Sequence, residues 1–248
     1  MERAVSYQLK DSIATITMDD GKVNVLSPAM LGELDAALDR AAADRAVVLL
    51  GGRPGIFSAG FDLSLLNAGG PGSAAMVGAG FALAERLLSF PMPVVIACTG
   101  HAVAMGAFLL LSGDYRVGAA GPYKFTANEV AIGLTIPRAA VEILRQRLTP
   151  ADFNRATTLA EPFSPDNAVQ AGFLDRVVSA ADVPDVARGT AEAVAALDMN
   201  AHLAAKLRAR QHALSALRAA IDADNADFRA RATSGPRLRP AAEGAPPQ

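Results

Sequence analysis

The chain opens with two short β-rich runs, Val5–Leu9 and Ile13–Met18, separated by Lys10-Asp11-Ser12. That pattern predicts an N-terminal hairpin. After a break at Asp20-Gly21, Ser27 supplies an N-cap and Pro28 a first-turn proline for a helix reaching Ala43, with Met30, Leu31, Leu34 and Leu38 as its apolar stripe. Ala46–Leu50 is continuously apolar, as expected of a strand covered on both faces. The cycle then repeats: a helix near Ser73–Ser89, the strand Pro93–Cys98, turn residues Thr99-Gly100, a short helix Met105–Ser112 and a strand Tyr115–Gly118. Helices are expected at 138–148, 150–160 and 165–171, with a strand near Leu174–Val178. Repeated β-then-α units favour an α/β fold with a mostly parallel sheet and helices packed outside it.

From about residue 183 the pattern is nearly all helical. Leu207, Leu214, Ile221 and Phe228 recur every seven residues, widened by Leu203 and Leu217, which predicts a helix pair facing the core or a neighbouring subunit. Beyond Ala232 the Ser-Gly-Pro-Arg-Leu-Arg-Pro and Ala-Ala-Glu-Gly-Ala-Pro-Pro-Gln stretches read as a disordered tail. The expected division is a core over 1–195, a helical extension over 196–232 and a tail over 233–248. No internal sequence repeat is visible.

Composition narrows the class. The 248 residues are 51% hydrophobic and 19% charged, enough to build a sizeable core. A net charge of −2 gives no electrostatic reason to expect a nucleic acid or an anionic membrane as partner. Cys98 is the single cysteine, so no internal disulfide can form. Met1-Glu2-Arg3-Ala4 lacks the apolar run of a signal peptide, and the apolar stretches stop short of the roughly 20 residues a membrane helix needs. The expected location is cytoplasmic.

Three segments carry candidate chemistry. Gly55-Ile56-Phe57-Ser58-Ala59-Gly60-Phe61-Asp62-Leu63 leaves a strand through small residues, which let a ligand approach the backbone. Taken alone it is an ordinary turn between strand and helix. Cys98-Thr99-Gly100-His101-Ala102-Val103-Ala104-Met105-Gly106-Ala107-Phe108-Leu109 ends a strand and opens a short helix. The free N–H groups of that first turn favour negative charge on a nearby oxygen. Small residues for close helix packing would account for the segment equally well. The third runs from Tyr123 to Pro137, where Glu129 is the only carboxylate between Asp114 and Glu142 and sits in apolar company. Burial would raise its pKa and suit it to proton transfer near neutral pH, although a paired or exposed structural carboxylate is the plainer reading.

Taken together, these segments resemble the crotonase (enoyl-CoA hydratase/isomerase) superfamily over roughly residues 3–230. Phe57–Leu63 is similar to its first oxyanion loop, and Thr99–Phe108, continuing to Arg116, to its second. Asn128–Pro137 is similar to the catalytic-Glu segment, and Lys22-Val23-Asn24-Val25-Leu26 to the N-terminal acyl-CoA contact. The resemblance implies a crotonase-type spiral of ββα units with a helical C-terminal extension. It also implies that the N–H groups of Phe61 and Met105 hold a thioester enolate oxygen, with Glu129 as acid/base. Lys22, Val23, Val25, Ala59, Gly60, Asp62, Leu63, Gly106 and Phe108 would then contact the substrate. Lys22 and Lys124 could pair with CoA phosphates, while Asp62 and Asp114 suit capping or pinning roles. No metal or separate cofactor is implied, because the CoA thioester is itself the substrate. Family members commonly form trimers or dimers of trimers.

One departure bears on the reaction. The family's hydratases carry a glutamate where this chain has Phe108. Phenylalanine cannot hold or deprotonate water, whereas the family's Δ3,Δ2-enoyl-CoA isomerases also lack that glutamate. The expectation is a double-bond shift with Glu129 as a single proton shuttle. A hydratase and a non-catalytic acyl-CoA-binding protein are the alternatives. Two other features suggest less. Gly70–Ala75 fits a loose dinucleotide-binding pattern, but no strand closely precedes it. His101, His202 and His212 lack metal-ligand spacing. His101 is expected to line the pocket, and the other two to lie on a helix surface. Cys98 is expected to be inert core.

Overall fold

The computed structural model describes residues 3–233. Its elements run β1 (Val5–Lys10), β2 (Ile13–Met18), β3 (Val25–Leu26), α1 (Pro28–Ala43), β4 (Val47–Gly51), β5 (Gly55–Ser58), β6 (Gly60–Phe61), α2 (Leu63–Ala68) and α3 (Gly70–Ser89). They continue with β7 (Val94–Cys98), β8 (Gly100–Val103), α4 (Met105–Leu111), β9 (Tyr115–Ala119), β10 (Phe125–Thr126), α5 (Arg138–Arg145), α6 (Pro150–Leu159) and α7 (Pro165–Ala171). The last are β11 (Arg176–Val178), α8 (Val183–Ala195), α9 (Met199–Ala209) and α10 (Gln211–Thr233). Of the tail expected over 233–248, Thr233 is the last residue of α10 and 234–248 lie outside the described residues.

Six strands form the main sheet in the order β1-β2-β4-β7-β9-β11, antiparallel only between β1 and β2. β4 and β7 are buried along their whole length, which explains their unbroken apolar sequences. On one face α1, α3, α4 and α5 contribute to the larger core. On the other, Val183, Ala187 and Ala191 of α8 cover Ile13, Val47, Leu49, Val95 and Val117. A second, smaller sheet stands beyond the ends of the main strands in the order β10-β8-β5, all parallel, and β3 pairs with β6. Each turn of the chain therefore passes through a long strand, a short strand and then helical structure. The turn expected at Thr99-Gly100 is in fact the entry into β8, and the turn expected over Gly55–Leu63 contains β5 and β6.

Helix starts follow local chemistry. Ser27, Thr149 and Ser164 each cap a helix whose first turn contains proline, accepting N–H groups from Met30, Asp152 and Asn167 respectively. α10 packs along α3 and α5 of its own chain, burying Leu214 and Leu217. Leu207 departs from the expected stripe and is 39% exposed. The seven-residue spacing runs across the break between α9 and α10, so it does not describe one continuous face. On α9 it is Lys206 that turns inward, with Nζ 2.7 Å from Asp114 Oδ2 and 3.3 Å from the carbonyl of Met92. Arg210 reaches Asp114 Oδ1 at 2.8 Å, and the Val94 N–H donates to Oδ2 at 2.7 Å. Burial brings the Lys206 ammonium down to about 8 despite that carboxylate. His202, expected on the surface, is half-buried beside this group. Asp114→Ala would leave two cations facing each other without their anion. We expect a loss of about 3–5 kcal/mol in chemical denaturation, and clearly less for Lys206→Met, which removes buried charge and keeps the apolar stem.

Candidate active site

The short strands bring the three sequence segments together. Asn24 is fully buried, and its side-chain amide donates to the carbonyls of Met18 (3.0 Å) and Phe57 (3.1 Å), tying the end of β2 to β5. Ser58 donates to the carbonyl of Asn24 at 2.8 Å and accepts the Gly60 N–H at 3.1 Å. The Ala59 N–H donates to the Val23 carbonyl at 3.0 Å. These contacts fix the loop that ends in Phe61.

Two residues in unusual backbone conformations precede the two expected amide donors. Gly60, before Phe61, has φ +91°, and Ala104, before Met105, has φ +49° and ψ −124°. For alanine this region costs on the order of 1–3 kcal/mol. Met105 begins α4, so its N–H has no carbonyl within the helix to bond. The loops meet closely. A methyl group added at Gly60 would lie 3.0 Å from the Val103 carbonyl oxygen, 3.1 Å from Ala104 Cβ and 3.3 Å from the Met105 nitrogen. One added at Gly106 would collide with the Ser58 carbonyl. Glycine at both positions lets the first turn of α4 rest on the β5–β6 loop.

A cavity of about 390 Å³ opens beside this junction. Ala59, Phe61, Leu63, Ala104, Phe108 and Glu129 line it. Phe81 of α3 stacks on Phe108 at 6.1 Å between ring centroids and meets Phe61 edge-on at 6.3 Å. Glu129 is 8% exposed and leads into a single 3-10 turn over Val130–Ile132. Burial pushes its carboxyl up to about 7, opposed by a smaller downward effect of a backbone hydrogen bond at Glu129 itself. Its Oε2 is buried with no hydrogen-bond partner among the described residues, as is Oδ1 of the neighbouring Asn128. Among the described residues that line the cavity, Glu129 is the only one with an ionisable side chain. Two buried acceptors without donors thus sit on residues that line a largely apolar chamber, an arrangement costly to keep unless a ligand or a transferred proton uses it.

The other expected site residues are placed as follows. Met105 and Gly106 are buried and are not among the residues that line the cavity, although Ala104 directly before them is. Gly60 packs against them, as described above. Asp62 accepts the N–H groups of Ser64 (2.9 Å) and Leu65 (3.2 Å) as the N-cap of α2 and is not part of the cavity wall. Lys22, Val23 and Val25 also lie off that wall; Val23 is 44% exposed, and Val25 pairs β3 with Gly60 of β6. His101, expected to line the pocket, instead accepts the Lys124 N–H at 3.1 Å and lies edge-on to Tyr123, because alternation along β8 turns it away. Cys98 is fully buried and its thiol is pushed up to about 12 by burial. The Gly70–Ala75 segment begins α3 directly after α2, with no strand before it. Sequence reasoning missed α2 and the contributions of Asn128 and Phe228 to the wall. For Phe228 the seven-residue spacing signalled burial but not against what.

Residues 8–235 match the family model described as enoyl-CoA hydratase/isomerase. The human mitochondrial enoyl-CoA delta isomerase 1 is 31% identical over 223 residues, covering 87% of this chain and 73% of that protein. Carnitinyl-CoA dehydratase of Proteus mirabilis is 27% identical, over 79% of this chain and 76% of its own length. Among solved structures, the apo Mtb enoyl-CoA isomerase superposes with a TM-score of 0.89 at 51% identity, covering 92% of this chain and all of that one. An enoyl-CoA hydratase from Mycobacterium marinum gives 0.88 at 50%, covering 91% and 99% respectively. Among the described residues no helix is long and apolar enough to cross a membrane. With its spiral of ββα turns, its helical C-terminal region and a family match spanning most of its length, this chain belongs to the enoyl-CoA hydratase/isomerase (crotonase) family of enzymes.

Proposed function

We propose that this enzyme moves the double bond of a 3-enoyl-CoA to the 2-position with Glu129 as the only proton carrier. One observation carries the reading: among the described residues the cavity wall presents a single carboxyl group, Glu129, and Phe108, where the resemblance implies a glutamate in hydratases, is part of the same wall. The ionised Glu129 removes a proton from C2, and the electron pair moves into the thioester to form an extended enolate. The N–H groups of Phe61 and Met105 hold the developing charge on the thioester oxygen. The protonated Glu129 then returns the proton at C4, leaving the double bond between C2 and C3. Atoms and charge balance without water, and the aromatic wall of Phe61, Phe81 and Phe108 keeps water away from the intermediate. A carboxyl near 7 suits both half-steps, because it is a stronger base than an ordinary glutamate and still a competent acid. CoA enters as part of the substrate, and no metal or redox group takes part.

Hydration of a 2-enoyl-CoA is the second reading, favoured by the nearly equal similarity to the enoyl-CoA hydratase from Mycobacterium marinum. Purified protein given a 3-enoyl-CoA should generate the conjugated 2-enoyl thioester, and given a 2-enoyl-CoA should form 3-hydroxyacyl product at least about 100-fold more slowly. Hydration at a comparable rate would overturn the isomerase reading.

The pH profile tests the direction of the first step. Because the base must be ionised, kcat/KM for isomerisation should rise about tenfold per pH unit below about 7 and level off above it. A profile that falls through the same range would mean that Glu129 enters the reaction as an acid.

A further inference from the structure

α5 begins without a cap of its own, since Pro137 occupies the N-cap position and makes no side-chain capping bond. The missing acceptor comes from the far end of the chain. Asp224, buried on α10, accepts the Ala139 N–H at 2.9 Å and the Arg138 N–H at 3.2 Å. Its Oδ1 also lies 3.1 Å from the Arg138 guanidinium, which Asp227 holds from the same helix at 2.7 Å. The segment anchored there starts at Glu129, whose carbonyl accepts the N–H groups of Ile132 (3.1 Å) and Leu134 (2.9 Å). Between these two fixed ends, Ile132, Leu134, Thr135 and Pro137 form one wall of the cavity. Phe228 follows Asp224 by one helical turn on the same face of α10 and reaches the cavity itself. The other wall residues all come from 59–137.

We propose that Asp224 is a positioning residue and Phe228 a specificity-determining one, so that α10 sets the span between the 132–137 wall and α3 and thereby selects acyl groups by length. Val77 and Phe81 of α3 line the same chamber, so it suits a hydrocarbon chain rather than a charged or polyhydroxylated acyl group. Asp224 acts through the helix start it caps and not by touching substrate. The inference rests on the cavity receiving the acyl group, as in the preceding reading, but not on which bond the enzyme remakes.

Calorimetric titration with saturated acyl-CoA thioesters of four, eight and twelve carbons, and with CoA alone, tests the proposal without turnover. The native protein should prefer one chain length. Phe228→Ala should shift that preference towards longer chains, improving the twelve-carbon to four-carbon affinity ratio about tenfold. Asp224→Ala should flatten the preference by a similar factor while leaving affinity for CoA alone unchanged. Asp224→Asn, whose single amide oxygen can replace only one of the two carboxylate acceptors, should keep part of it. A purely structural role would weaken all four ligands together and leave the ratios intact, and that result in Phe228→Ala or in Asp224→Ala overturns the proposal. Should Asp224→Ala not fold, Phe228→Ala decides the outcome by itself. A native protein that binds CoA with no chain-length preference also overturns it. Altered preference in an enzyme that hydrates rather than isomerises supports the clamp and defeats only the isomerase reading.

Discussion

Glu129→Gln should lower kcat for isomerisation by about 10³-fold or more with little change in KM. The amide matches the carboxylate in shape and keeps the cavity filled, but it cannot take a proton. The same substitution should make the protein more stable at neutral and alkaline pH. Burial raises the folded-state pKa of Glu129 from 4.5 to about 7, so the folded form binds the proton more tightly than the unfolded chain does. Stability from this group is therefore fully present below about 4.5 and is lost as pH rises through about 7. Above that range the native enzyme holds an ionised, poorly solvated carboxylate, at a cost of about 3 kcal/mol that glutamine avoids. Denaturant titrations should show the variant and native curves close together in acid and separated by about this amount near pH 8. Equal stability at both pH values would mean that Glu129 is better solvated or paired than its orphaned Oε2 indicates. Retention of turnover would remove Glu129 from the mechanism altogether.

Gly60→Ala should be the most damaging single-methyl change near the site. The new Cβ would press against the Val103 carbonyl oxygen, Ala104 Cβ and the Met105 nitrogen, in a backbone conformation at φ +91° that L-residues avoid. Strain alone should cost about 1–3 kcal/mol of stability. The catalytic effect should be larger, because relieving the contact separates the β5–β6 loop from the first turn of α4. Two amides that must serve one oxygen lose their common target, and removing one such donor lowers kcat by about 10²–10³. Gly21→Ala separates the two effects. Gly21 also has positive φ (+76°), but its added methyl meets nothing within 4 Å. It should lose stability to backbone strain yet keep its kcat. A folded Gly60→Ala enzyme with unchanged kcat would show that Phe61 and Met105 do not form the oxyanion site.

Much of the frame was legible because it is written locally. The unbroken apolar runs of β4 and β7, the Ser-Pro and Thr-Pro helix starts and the spacing of Leu31, Leu34 and Leu38 each act within a few residues. The short strands β3, β5, β6, β8 and β10 were not legible. They span only two to four residues, too few for an alternating pattern to show, and pairing with distant partners, as between Phe125 and Ala102, is what makes them strands. Lys206 and Leu207 show the same limit in reverse. Periodicity favoured burying the leucine, but Asp114 on another element draws the lysine inward.

The amino-acid order by itself determined which residues were candidates for chemistry: the small-residue loops ending at Phe61 and Met105, the isolated Glu129, and Phe108 where the resemblance implies a glutamate in hydratases. Tertiary structure decided what those residues become. Solvent exclusion raises the Glu129 pKa, contact between the two loops sets how closely their backbones approach, and a carboxylate from α10 caps α5 at the edge of the cavity. Burial and close approach are properties of surfaces brought together from across the chain, and no local pattern contains them.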